Sequence, residues 1–141
     1  MSYRVTVEGA KSFEIAKECV KKVVYKTDIP ADSDARTKDV GSTLVITGKI
    51  LTAVDGDPFD STRELDLWSL VPAENADCYR KVTVENIAGG IVERKFYFPN
   101  AFVVNYEEDF GNTDGTGTFT LTIKQKKDKM AGITIEGGYP A

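Results

Sequence analysis

Histidine is absent from the 141 residues, and that absence removes more chemistry than any residue present supplies. It excludes Ser-His-Asp and Cys-His nucleophilic machinery, histidine-ligated zinc and the commonest general base at neutral pH. Only two cysteines occur, Cys19 and Cys78, far apart and in no CxxC spacing. They build neither a disulfide framework nor a metal or redox motif. No stretch approaches the roughly 20 apolar residues of a membrane-spanning helix, so no membrane span is expected. The beginning, Met1 to Val7, reads as an alternating strand with no signal-length apolar run. Synthesis in the cytoplasm is therefore expected, with any export using a route that reads no N-terminal signal. An excess of positive charge is lacking as well: 18 Lys and Arg stand against 22 Asp and Glu, a net charge of −4. That balance favours solubility and points away from sequence-specific nucleic-acid binding.

What is present is ordinary globular material, 41% hydrophobic and 28% charged, which argues against global disorder. The length suits one domain spanning residues 1–141, able to bury about 70% of its unfolded surface. Strand signals dominate. Cys78–Asn86, Ile91–Phe98, Ala101–Tyr106 and Thr118–Gln125 come one after another, with Pro99-Asn100 read as an interruption and Ala88-Gly89-Gly90 as a tight turn. In the last strand Phe119, Leu121 and Ile123 alternate with Thr118, Thr120, Thr122 and Lys124, the period of two of a half-buried antiparallel strand.

Earlier in the chain, Tyr3–Val7 and the β-branched run Val20–Thr27 read as strands. Thr43–Thr52 also reads as a strand, with Leu44, Ile46 and Ile50 on one face and Thr43, Thr47 and Lys49 on the other. Between them Ile29–Gly41 is a polar loop without apolar periodicity, long for a compact domain. A short final strand is expected within Gly132–Glu136. One helix is signposted. Ser61 and Glu64 have capping-box spacing at its start, and Pro72 ends it. Leu67, Leu70 and Val71 form its apolar face, widened by Leu65 and Trp68. A lone helix among strands serves to cover the open end or side of a sheet, with Trp68 as the plug. The fold class is thus mainly β: an antiparallel β-barrel or sandwich with one short α-helix.

No motif signposts catalysis, a cofactor or a metal. Asp55, Asp57 and Asp60 precede the helix in a pattern that faintly resembles a calcium loop. Phe59 holds the fifth position, however, and Asp60 the place of the turn glycine, so the pattern reads as turn and cap chemistry. Gly111–Gly117 lacks the lysine and adjoining helix of a phosphate loop. Glu107-Glu108-Asp109 suits either a solvated strand end or a basic partner surface. The faces carry the functional argument. Thr118, Thr120, Thr122 and Lys124 make a water-facing side that would line a lumen if the sheet were part of a ring. The long loop carries the charged residues Asp32, Asp34, Arg36, Lys38 and Asp39.

Strands Thr43–Thr52, Tyr79–Val84, Glu93–Tyr106 and Thr118–Gln125, with the helix Ser61–Val71 between them, resemble in their order the tube-protein fold. Hcp, the inner-tube protein of type VI secretion, and contractile phage tail tubes share that fold. The resemblance implies self-association into hexameric rings that stack into a hollow tube, with sheath and baseplate proteins as further partners. It implies that the loop Ile29–Gly41 reaches the next ring, with Asp32, Asp34, Arg36, Lys38 and Asp39 as candidates for contacts between subunits. It also implies a place in a virion tail or an exported apparatus, with no enzymatic activity. The competing reading is a small β-sandwich binding module for carbohydrate or a protein partner, expected to be monomeric.

Overall fold

The computed structural model describes residues 1–29, 40–51, 61–111 and 117–141. The described strands are β1 (Ser2–Glu8), β2 (Phe13–Ile15), β3 (Val20–Asp28), β4 (Gly41–Ile50), β5 (Arg80–Ala88), β6 (Ile91–Asp109), β7 (Gly117–Gln125), β8 (Thr134–Glu136) and β9 (Tyr139–Pro140). The described helix, α1, covers Ser61–Ser69, and 3-10 turns span Ala76–Cys78 and Lys127–Gly132. All nine strands belong to one antiparallel sheet in the order β2-β1-β5-β6-β7-β4-β3, with β8 and β9 also pairing β6.

The two ends of that path force the sheet to curl. β2 and β3 stand at opposite ends, yet only residues 16–19 separate them. Five Cα steps reach at most about 18 Å, whereas seven strands laid flat would hold the end strands roughly 29 Å apart. The molecule is therefore barrel-like. Tyr25 of β3 reaches across the interior to stack on Phe96 of β6 at 4.7 Å. The closing turn seats against β4, where the Lys49 amide donates to the Cys19 carbonyl at 2.7 Å. Gly48 makes this possible, because a Cβ there would collide with that carbonyl. The core joins Val5 and Val7 of β1, Ile15, Leu44 and Ile46 of β4, Val82 and Val84 of β5, Phe98, and Phe119, Leu121 and Ile123 of β7.

Several expectations change. Pro99-Asn100 does not separate two strands, since β6 runs 19 residues straight through it. The register passes from Val82↔Phe98 to Arg80↔Ala101, leaving two residues of β6 opposite the single Lys81. This is a bulge, one of the few sheet positions that tolerate a proline's missing N–H. Buried Gln125 staples it, accepting from the Asn100 amide at 3.0 Å and donating to the Lys129 carbonyl at 3.2 Å. Cys78 lies in a 3-10 turn ahead of β5 and not in the strand. Thr43, assigned to a water-facing side, is 4% exposed, because its hydroxyl donates to Asp28 Oδ2 at 2.6 Å.

The helix faces differently from its expected apolar stripe. Leu65 and Trp68 are buried with Ser61 and Thr62, while Leu67 and Leu70 are 50% and 76% exposed. Trp68 decides the rotation: its indole N–H donates to the Cys78 carbonyl at 3.0 Å, and Arg80 lies over its ring at 5.4 Å. Adjacent positions on a helix point about 100° apart, so seating Trp68 turns Leu67 outward. Both capping-box residues tie α1 to the β1–β2 region. The Ser61 hydroxyl accepts from the Ala16 amide at 3.1 Å, and Glu64 holds Lys11 at 2.7 Å.

Candidate assembly interface

The alternation of β7 places Phe119, Leu121, Ile123 and Gln125 inside, and its other side chains on the face away from the core. Thr118 is exposed, and Thr120, Thr122 and Lys124 are half-buried among their neighbours. Their cross-strand partners on β4 are Lys49, Thr47, Val45 and Thr43, and on β6 they are Asp109, Glu107, Asn105 and Phe102. On β3 the same rows continue to Lys22, Val24 and Lys26. The four strands β3, β4, β7 and the second half of β6 thus present one surface of threonines, lysines and carboxylates, interrupted by Val24, Val45 and Phe102. Lys124 reaches Asp28 at 3.5 Å across it, an exposed pair of little energetic weight.

The edges of this four-stranded unit are more informative. Among the described residues, no strand pairs with the second side of β3. The β5 ladder on β6 stops at Ala101, so the residues beyond it carry β7 on one side and no described strand on the other. α1 packs against this half of β6, where Tyr106 donates to the Thr62 carbonyl at 3.4 Å and to Glu108 at 2.8 Å. The two edges bear opposite charge. β3 exposes Lys21, Lys22 and Lys26, whereas the end of β6 carries Glu107, Glu108 and Asp109. Sequence reading noted the acidic run but missed the pairing. The signal was there in lysines interrupting a β-branched strand, a common mark of a sheet edge.

Below α1 lies the one titratable site with a resolved perturbation among the described residues. The hydrogen bond from the Arg80 guanidinium, at 2.6 Å, and the Ala10 amide hold Asp77 below the ordinary aspartate range, against a smaller opposing effect of burial. Arg80 is 7% exposed and also donates to the Asp77 carbonyl. This network is structural, since it pins the 3-10 turn and the Trp68 ring in place. Among the described residues no cluster of His, Cys, Asp or Glu is arranged to hold a metal, and no helix is long and apolar enough to cross a membrane. Asp32, Asp34, Arg36, Lys38 and Asp39 lie outside the described residues, as do Asp55, Asp57 and Asp60.

No protein-family model matches the chain, and no curated protein matches its sequence. Solved structures do match. Hcp1 from Flavobacterium johnsoniae is 19% identical with a TM-score of 0.52, covering 98% of this chain and 99% of that one. Hcp1 from the E. coli EAEC 042 pathovar is 12% identical with a TM-score of 0.57 and 99% coverage of both chains. A chain of the sheath–tube complex of PVC, an extracellular contractile injection system, is 15% identical with a TM-score of 0.53, covering 96% of this chain and 88% of that one. A mostly antiparallel sheet with one helix packed against it, matched end to end by these structures, is the Hcp-like tube fold.

Proposed function

We propose that this chain is a structural tube subunit, joining copies of itself side by side into a closed ring and stacking rings into the inner tube of a contractile injection system. The observation that carries the reading is the four-stranded unit β3-β4-β7-β6, open at both edges with lysines on one and carboxylates on the other. Edge-to-edge joining of successive copies satisfies the unpaired backbone groups and sets opposite charges together. In such a ring Thr118, Thr120, Thr122 and Lys124 line the lumen. Six copies per ring agree with the fold match to a chain of the anti-feeding prophage baseplate, solved with 6-fold symmetrisation, at a TM-score of 0.54. The charged residues Asp32, Asp34, Arg36, Lys38 and Asp39 serve contacts between subunits. The tube lies within a virion tail or exported apparatus, with sheath and baseplate proteins as its other partners. Its role is mechanical, and no reaction is assigned to it.

Mass photometry and negative-stain microscopy of the purified protein test this directly. The expected species has six times the 15.5 kDa mass of the chain, accompanied by annular particles and tubes. A lone monomer at micromolar concentrations would refute the reading and favour a monomeric binding module.

A further inference from the structure

The two ends of the same four-stranded unit differ as knob and hole. At one end Phe110 is 68% exposed, its ring beside Gly117 and Ile50, directly after Glu107, Glu108 and Asp109. At the other end a crevice of about 190 Å³ opens between α1 and β6, lined by Val71, Ala73, Cys78, Tyr79, Phe102 and Val103. Phe102 and Phe110 are eight residues apart on or just beyond β6, roughly 27 Å along a strand. An apolar cavity of about 150 Å³ is large enough for a benzene ring. The charges at the two ends are complementary. Lys126 sits over the Tyr79 ring at 5.0 Å, and Lys124 is the cross-strand partner of Phe102. Carboxylates nearby are exposed Glu74, next to Ala73, Asp77, which Arg80 holds at 2.6 Å, Asp128, 3.8 Å from Lys126, and Asp28, 3.5 Å from Lys124; Lys124, Lys126 and exposed Lys127 and Lys129 form the basic rim.

We propose that these ends form the axial contact between rings: Phe110 of one copy enters the crevice beside α1 of a second copy, and its acidic neighbours meet the lysine rim. The proposal rests on the tube reading above and specifies how rings stack. The contact is heterologous, with knob and hole on different surfaces of each copy, and repeating it produces an open stack. A single buried aromatic flanked by complementary charge has the character of a hot spot.

Phe110→Ala tests it without endangering the fold, because the side chain is exposed. Expected are rings of wild-type mass and melting temperature, with the protein concentration needed for tubes raised roughly tenfold or more, the effect of losing one buried aromatic anchor. A second variant, Phe110→Cys, uses the native Cys78, which is 8% exposed and lines the crevice; mild oxidation of tubes assembled above the raised threshold should give a ladder of disulfide-linked chains on a denaturing gel. The ladder should vanish in Phe110→Cys/Cys78→Ser, since Cys19 is fully buried. Tubes forming at the wild-type threshold from Phe110→Ala, or tubes of Phe110→Cys assembled above its raised threshold that give no ladder, would overturn the axial contact while leaving the ring intact. Absence of rings in the wild type would instead overturn the ring reading. In that case a head-to-tail ladder still sustains the knob-and-hole contact, and monomers alone reject it.

Discussion

Replacing Trp68 by alanine should be among the most damaging single changes in the chain. The indole is 1% exposed and belongs to the core cluster. Truncation leaves a cavity between α1 and β5, and large-to-small changes of this kind cost about 3–5 kcal/mol. The geometry adds two further losses. The Cys78 carbonyl loses its indole donor, and Arg80 loses the ring beneath it; an orphaned buried acceptor alone costs about 1–3 kcal/mol. Marginal stability of about 5–15 kcal/mol makes such a sum a large share of the whole. At roughly 2–4 °C per kcal/mol for a chain near this size, the melting temperature should fall by about 10 °C or more. Trp68→Phe separates the contributions, because it keeps most of the volume and removes the donor, so it should fall between wild type and alanine. Thermal melts and urea titrations of all three proteins, with far-UV circular dichroism to check the fold, decide the matter. An alanine variant melting within about 2 °C of wild type would refute the argument. Helix α1 would then be a dispensable attachment and not the cover of the sheet.

Gly48→Ala should destabilise by about 1–3 kcal/mol or prevent folding, because its Cβ collides with the Cys19 carbonyl that closes the barrel; an unchanged urea midpoint would show that this turn can move aside. Asp77 has a folded pKa depressed below its unfolded value, so its stabilising contribution is present above about pH 4 and is lost as pH falls through the lowered folded value. Asp77→Asn should accordingly be less stable than wild type at pH 7, with the difference shrinking in acid; a gap that persists undiminished at pH 2 would refute the linkage. Thr120→Cys should fold normally and react readily with a thiol reagent in the free subunit, whereas Leu121→Cys should destabilise and react slowly. Equal reaction rates would mean that the register of β7 is misassigned.

The sequence and the structure agree where one local preference acted alone. The alternation of Thr118–Gln125, the Gly89-Gly90 turn with φ of 58° and 75°, and the run Val20–Thr27 were all legible, because burial and backbone preference coincide there. Disagreement arises where a long-range contact outvoted a local rule. A proline normally ends a strand, yet Pro99 sits in a bulge that Gln125, 25 residues beyond Asn100, makes tolerable. Leucine spacing pointed the helix one way, and a single indole hydrogen bond to Cys78 turned it another. Thr43 looked like an exposed residue, yet on the outer face it is covered by its neighbours and its hydroxyl is taken by Asp28 on the adjoining strand. The lysines within Val20–Thr27 marked an edge and the acidic run was visible, but their shared row was not, since Lys22 and Glu107 are linked only through Thr47 and Thr120.

That row bears on how an open sheet would assemble without aggregating. A free strand edge will pair with any other, and two copies could in principle join β3 to β3, β6 to β6, or β3 to β6. The first brings Lys21, Lys22 and Lys26 against their own duplicates, and the second does the same with Glu107, Glu108 and Asp109. Like charges set opposite one another in a sheet are destabilising, and opposite charges stabilise by about 0.2–1 kcal/mol per pair. Only the mixed joint is attractive, and it is directional. On the proposed reading, charge therefore selects the head-to-tail arrangement and suppresses the symmetric dimers that would cap both edges. A head-to-tail joint either closes on itself or runs on as an open helix, depending on the angle between successive copies. Reversing the lysines of β3 to glutamates should then abolish rings, and adding the matching reversal on β6 should restore them. Double-variant rings would establish the pairing of these two edges more firmly than either loss alone.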